Sequence, residues 1–297
     1  MKTHPLLTAF LILIAICAFF FLLVLGLSYF DDQYFYVLGG DRIGVIKIEG
    51  AIVESQSTID KIVEYRKSKR VKAIILRINS QGGVVAPSQE IYQEVKKTRK
   101  EKRVIVSVES IVASGGYYIA CAADKIVANP GTLVGSIGVM LQIENVEELL
   151  KKIGLKRKVI KSGKYKDIGS VTRSMTEEEE AMLQKFSDDV HNQFVDAVVE
   201  GRGMKREEVL KLADGRIFTG AQAIKLGLID KLGNLQDAIS IAGEMVGIKG
   251  EPKVIYPKKK RPSILDFIFE EASTRIARII EKMAHNKLTV YYLYTPH

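Results

Sequence analysis

Val112-Ala113-Ser114-Gly115-Gly116-Tyr117-Tyr118-Ile119-Ala120 sets a serine between a strand and a helix. Upstream, Val104-Ile105-Val106-Ser107-Val108 is β-branched and apolar, the composition of a buried strand. Downstream, Tyr117 to Ala123 is apolar and Ala-rich and reads as a buried helix. The two glycines permit a tight turn and close approach of another backbone. Free N–H groups at a helix start favour negative charge. A serine nucleophile needs those features, and a serine that only N-caps the helix is the competing reading of the same residues.

Working outward, Arg42 to Ile48 alternates as a strand does, Ser57 to Lys69 carries a helical pattern, and Lys72 to Ile78 is a second strand. Asn79-Ser80-Gln81-Gly82-Gly83 reads as a loop, and Pro87 to Lys100 as an amphipathic helix with proline near its start. Lys125 to Ala128 and Leu133 to Val139 follow as strands, the latter punctuated by Gly135 and Gly138. Strands alternating with helices predict an α/β fold with parallel strands and right-handed connections. Beyond them, Glu144 to Ile153 is expected to be helical and Lys158-Val159-Ile160 a strand. Ser162 to Ser170 reads as a polar loop. Thr176 with Glu179 forms a capping box that starts a helix to about Glu200, and Met204 to Ala213 reads as another helix. Gly215 to Gly220 is a strand and turn, with Thr219 capping a helix through Leu226. The tail holds a basic linker, Lys258 to Pro262, a helix from Ile264 to about Ala284, and a strand within Leu288 to Leu293.

Leu6 to Phe30 contains no charged residue and is long enough to span a bilayer with some tilt. Its apolar run continues past Ala15-Ile16-Cys17-Ala18 through Leu25, unlike a cleavable signal peptide. Ile16 before Cys17 argues against lipid attachment there. Lys2 before the span and Asp31 and Asp32 after it orient the N-terminus to the cytoplasm and the rest of the chain outside. The expected organisation is therefore a cytoplasmic segment (1–5), an anchor (6–30), a linker (31–41), a folded domain (42–257) and a C-terminal extension (258–297). The net charge of +9 comes without a helix-turn-helix or an aromatic-basic motif, so nucleic acid is not an expected partner. Cys17 and Cys121 supply neither a disulfide framework nor a metal cluster.

Parallel α/β sheets bind ligands where strands end and helices begin. Gly82-Gly83 and Gly115-Gly116 occupy two such places and could offer backbone N–H groups to a carbonyl oxygen gaining negative charge. A serine nucleophile needs a base. Of the four histidines, His4 precedes the span, His285 and His297 lie in the tail, and His191 is expected on the solvent face of its helix. A Ser-His-Asp triad is thus disfavoured and lysine becomes the base, provided that desolvation or nearby positive charge helps it lose its proton. Eight basic residues fall between Lys151 and Lys166, and most of them read as a solvated face or an anionic-lipid contact. Composition does not select the base among them.

Ala113-Ser114-Gly115-Gly116-Tyr117-Tyr118, Asn79 to Gly83, Gly135-Ser136-Ile137-Gly138-Val139, Ser162 to Asp167 and Gly215 to Ala223 resemble, in order, segments of the signal peptide peptidase A family. The resemblance runs from about Arg42 to Ile248, and the chain is similar to the short bacterial form. It implies a fold of the crotonase and caseinolytic-protease kind, a superhelix of ββα units after one transmembrane helix. It also implies a Ser-Lys dyad working without metal or ATP, so no cofactor is expected. By resemblance, Ser114 is the nucleophile, Lys166 the general base and Ser136 the residue that orients it, while Gly83 and Gly115 form the oxyanion hole. Gln81 departs from the family, which often has proline there, and both glycines remain. Lys164, two residues from Lys166, is the rival base; the family's Lys-Asp pair matches Lys166-Asp167. Tyr117 and Tyr118 are expected to pack the core. Longer relatives carry two copies of the domain and share serine and lysine between them, which implies a homo-oligomer with sites shared between subunits. The expected substrates are signal peptides and other small membrane-associated peptides, cleaved outside the cytoplasmic membrane. The alternatives are a protease trimming a stomatin-type membrane partner and a crotonase-type acyl-CoA enzyme, which would leave the span and Lys166 without a role.

Overall fold

A computed structural model describes residues 40–257, the strand 291–293, and helical residues 14–16, 18–20 and 22–23. The expected span thus lies largely outside the described residues, as do the basic linker and the tail helix. No helix among the described residues is long and apolar enough to cross a membrane.

The first half builds parallel strands joined by helices: β1 (Arg42–Ile52), α1 (Gln56–Lys67), β2 (Val71–Val84), α2 (Val85–Arg99), β3 (Arg103–Ala113), α3 (Gly115–Ala120) and β4 (Lys125–Ala128). After β5 (Leu133–Gly135) and the short α4 (Glu147–Lys152) comes the long α5 (Glu177–Arg202). Then follow α6 (Arg206–Leu210), β6 (Ile217–Thr219), α7 (Gly220–Lys225), β7 (Lys231–Leu232), α8 (Leu235–Met245), β8 (Lys253–Ile255) and β9 (Tyr291–Leu293). β8, β1, β2 and β3 pair in parallel; β5 pairs in parallel with β3, and β6 runs antiparallel to β5.

Parallel strands covered on both faces read as near-continuous apolar runs, and alternate residues must then serve different layers. Ile43, Val45, Ala73, Ile75 and Ile105 pack with Ala238, Ile239 and Ala242 of α8. Their neighbours Ile46, Ile74, Leu76, Val104 and Val106 belong to the larger core, with Ile62 of α1, Ile91 and Val95 of α2, and Phe194 and Val198 of α5.

The strands carry further than their apolar runs suggest. Asn79 to Gly83 belongs to β2, not to a loop. A register shift falls between Ile78 and Ser80 against β3, and another between Glu49 and Ala51 of β1 against β2, at Gly50 with φ +71°. Such bulges bend strands. Beyond them, Ile52 pairs with Gly83, Ser80 with Val112, and Ala113 with Gly135. The N-terminal part of β3 pairs instead with β4, so β3 serves two neighbours along one edge. Glycine, asparagine and serine gather at this bend, and for that reason the stretch reads as a loop from composition.

Other expectations need correcting. Lys158-Val159-Ile160 forms no strand, because no described strand lies alongside to pair with it; Ile160 is 89% exposed. The strand at Leu133 stops at Gly135, where φ turns to +110°. The helix after Ser114 spans Gly115–Ala120 and ends earlier than Ala123. His191 is only half exposed, because it lies within a turn of Val190, Phe194 and Val195 on the buried stripe of α5, and its Nε2 is enclosed without a hydrogen bond.

The expected capping box at Thr176 forms, and the expected cap at Thr219 closes as a second box. Thr176 accepts from the Glu179 N–H at 3.2 Å while the Glu179 carboxylate accepts from the Thr176 N–H at 3.0 Å. The Gln222 amide oxygen accepts from the Thr219 N–H at 2.9 Å, and Thr219 Oγ1 accepts from the Gln222 N–H at 3.2 Å. Thr219→Ala removes the second box at an exposed position and is expected to cost about 1 kcal/mol, measured as a lowered denaturation midpoint with hydrolysis unchanged.

Candidate active site

Ser114 ends β3 and precedes α3, with φ +52° and ψ −120°. Among the described residues only it and Ser136, with φ +50°, have positive φ without being glycine. Such a conformation costs of order 1–3 kcal/mol and persists where the surrounding structure imposes it. The Ser114 N–H donates to the Gly135 carbonyl at 2.8 Å, and the Ser136 N–H donates to that of Arg216 at 2.9 Å. The β3–β5 pairing thus brings the two strained serines to adjacent strand ends. Ser114 holds the N-cap position, but its side chain makes no capping hydrogen bond. Its carbonyl accepts from the Tyr118 N–H at 2.8 Å and so starts the helix by backbone alone.

The helix behind Ser114 is anchored in the core, every residue from Gly115 to Ala120 being buried. The Tyr117 hydroxyl donates to the Leu228 carbonyl at 2.8 Å. The Tyr118 ring lies 4.8 Å from that of Tyr92 and 5.1 Å from that of Phe194. Both tyrosines therefore pack the core, as expected. Gly115 is the first helical residue, so its N–H has no acceptor within the helix.

β2 passes beside this turn. A Cβ on Gly116 would meet the Ser80 carbonyl oxygen at 3.0 Å, so glycine lets α3 approach β2 closely. Ser80, fully buried, donates its hydroxyl to the Gly50 carbonyl at 2.6 Å and accepts from the Gly82 N–H at 3.1 Å. It pins the bend that delivers Gly82 and Gly83. Sequence reading missed that role, whose only signal was a serine inside a glycine-rich stretch. Gly83 packs on β1, where a Cβ would lie 2.1 Å from the Ile52 carbonyl oxygen. On the side away from β1, Tyr291 to Leu293 of β9 pairs antiparallel with Gly82 to Val84. This part of β2 thus takes an extended segment by main-chain pairing, and β9 occupies it.

Lys166 is exposed, on the loop before α5. Its N–H donates to the Gly163 carbonyl at 3.1 Å. Among the described residues no hydrogen bond or ion pair joins its amine to Ser114, Ser136 or any carboxylate. Its neighbours differ. The Lys164 amine pairs with Glu178, and that contact pushes its pKa up to about 12. Lys161 pairs with Asp167. At neutral pH Lys164 is held protonated and is a poor proton acceptor.

Other nucleophile and base sets are less suited. The Cys121 thiol is buried and burial pushes its pKa up to about 12, so it stays unionised. His191 makes no hydrogen bond to a serine or a carboxylate among the described residues. No cluster of three or more His, Cys, Asp or Glu residues able to hold a metal occurs among them.

Comparison with known proteins gives the family. Residues 96–249 match the model of peptidase family S49, and residues 38–134 match that of Clp protease. A Synechocystis sp. protein named "putative protease" is 45% identical over 208 residues, covering 70% of this chain and 75% of its own. The chloroplastic serine protease SPPA of Arabidopsis thaliana is 36% identical over 244 residues, or 80% of this chain and 36% of its own. A signal peptide peptidase SppA of Enterococcus faecium, also named as putative, is 38% identical over 185 residues, covering 62% of this chain and 54% of its own. The S49 match takes in the Ser114 turn, the Lys166 loop and all of α5, and on these grounds the chain belongs to peptidase family S49, as a serine peptidase of the signal peptide peptidase A kind.

Proposed function

We propose that this chain is a membrane-anchored endopeptidase with a Ser-Lys dyad that cleaves signal peptides and other small membrane-associated peptides outside the cytoplasm. The strained backbone of Ser114, beside a stretch of β2 that takes an added strand, carries the reading. A positive φ at a non-glycine residue holds the hydroxyl off the helix it would otherwise cap. In the proposed complex an extended peptide takes the position that β9 holds on β2, by main-chain hydrogen bonds that suit peptides of varied sequence.

In the proposed reaction Lys166 in its neutral form takes the Ser114 proton as Oγ attacks the scissile carbonyl carbon. The carbonyl oxygen gains the negative charge, and the N–H groups of Gly83 and Gly115 are the proposed donors to it. The protonated lysine then gives its proton to the leaving amine, the peptide C–N bond breaks, and water hydrolyses the acyl-enzyme by the reverse sequence. Ser136, strained like Ser114 and next to it, is the proposed orienting residue for the Lys166 amine.

Ser114 is buried and Lys166 exposed with no bond between them in one chain, which supports sharing of the site between subunits of a homo-oligomer. The apolar helical residues Ile14, Ile16, Phe19, Phe20, Leu22 and Leu23 are all exposed, as residues facing lipid would be, and support the anchor. We read the bent strands with their covering helices as the ββα superhelix and residues 42–257 as the protease domain.

The test is hydrolysis of apolar fluorogenic peptides by the full chain in detergent. Wild type is expected to cleave them and Ser114→Ala to be inactive. Mixed Ser114→Ala and Lys166→Ala subunits are expected to regain activity after exchange. Failure to regain it with exchange confirmed would overturn the shared site, and unchanged cleavage by Ser114→Ala would overturn the nucleophile.

A further inference from the structure

The loop carrying Lys166 is tied down on both sides of that residue by consecutive glutamates of α5. The Tyr165 hydroxyl and the Lys164 amine both bond Glu178. On the other side Asp167 meets Arg173, whose Nε donates to Oδ2 at 3.0 Å and whose Nη2 donates to Oδ1 at 3.0 Å. The same guanidinium reaches Glu179, with Nη1 to Oε2 at 2.7 Å and Nη2 to Oε1 at 2.5 Å. The Glu179 side chain is only 4% exposed and also closes the capping box with Thr176. One planar cation thus locks two carboxylates, one on the loop and one fixed in the helix start, a task suited to the guanidinium fork.

We infer that the acidic first turn of α5 is a pedestal that presents Lys166 and sets it apart from the lysines around it, with Arg173 as the central positioning residue. The inference rests on the reading of Lys166 as the base. The pedestal fixes the backbone at Tyr165 and Asp167 and leaves the side chain between them unengaged. It also gives the neighbouring amines carboxylate partners: Lys164 takes Glu178 and Lys161 takes Asp167. That pairing holds Lys164 protonated, whereas the Lys166 amine has no carboxylate partner among the described residues. Arg173 holds the Glu179 carboxyl down to about 2 and Asp167 well below the usual carboxylate range, so the lock stays ionised at neutral pH. Sequence reading found Glu179 as a helix cap; its second task needed Arg173 folded back across six residues.

The experiment uses the full chain in detergent, with folding checked by denaturation midpoint. Arg173→Ala is expected to lower kcat by about 10- to 100-fold through misplacement of the base, with KM within about twofold. Arg173→Lys is expected not to restore kcat, because an ammonium cannot bridge both carboxylates in that fork. Should Arg173→Ala fail to fold, Asp167→Asn breaks the loop side of the lock at nearly constant volume and is expected to show the same loss in kcat. A cycle separates positioning from general damage, read as the rate at which a fluorophosphonate labels Ser114. In a Lys166→Ala background Arg173→Ala is expected to cause no further slowing. Wild-type kcat in a folded Arg173→Ala or Asp167→Asn variant, or an equal further slowing in the Lys166→Ala background, would overturn the pedestal. Wild-type kcat in Lys166→Ala would instead overturn the base assignment on which it stands.

Discussion

Lys166→Ala is expected to lower kcat/KM for apolar peptides by about 10²- to 10⁴-fold, the usual contribution of a positioned general base. Lys164→Ala is expected to stay within about threefold of wild type. The two lysines are separated by one residue and carry the same chemistry, so the contrast depends on surroundings alone. Lys164 is paired with Glu178 and held protonated. Lys166 has no carboxylate partner among the described residues. Peptide hydrolysis by the two single variants, with their denaturation midpoints measured beside it, checks the expectation. A collapse of activity in Lys164→Ala with Lys166→Ala unaffected would move the base by two residues.

Gly83→Ala is expected to be the most damaging small substitution near the site. The added Cβ would lie 2.1 Å from the Ile52 carbonyl oxygen and 2.5 Å from its nitrogen. Those are backbone atoms of β1 in a paired register, so no side chain can swing aside. Overpacking of this kind costs about 1–3 kcal/mol or more. The shift it forces also moves the strand edge where substrate is proposed to lie, so hydrolysis is expected to fall along with the denaturation midpoint. Gly131→Ala is the control. Nothing stands within 4 Å of its added Cβ, and the change is expected to stay within about 0.5 kcal/mol.

These expectations show which parts of the molecule the residues declare and which they do not. The apolar runs of β1, β2 and β3 announce buried parallel strands because both faces are covered and nearly every position is apolar. Helix starts at Thr176 and Thr219 are legible because a capping box needs two particular side chains three residues apart. The second halves of the strands are hidden. Asn79 to Gly83 looks like a loop, since residues that permit a bend also permit a turn, and only pairing with β1 and β3 separates the two. Val159 and Ile160 show the converse, a β-branched pair with no strand to join.

The site divides in the same way. A serine with two glycines after a strand is visible in the sequence, whereas a positive φ at that serine is not, because serine carries no preference for it. Ser80 and Arg173 act through partners 30 residues away and on a separate helix start, respectively, and local pattern does not reach that far. His191 sits at the margin of the solvent face because the apolar stripe of α5 extends over Val190, Phe194 and Val195.

Ser114 is the proposed nucleophile of this serine peptidase. Treating the full chain with a fluorophosphonate and mapping the adduct by mass spectrometry tests this role most directly. A single adduct is expected on Ser114, absent from Ser114→Ala and strongly slowed in Lys166→Ala. An adduct on another serine, or one that persists in Ser114→Ala with hydrolysis intact, would contradict it.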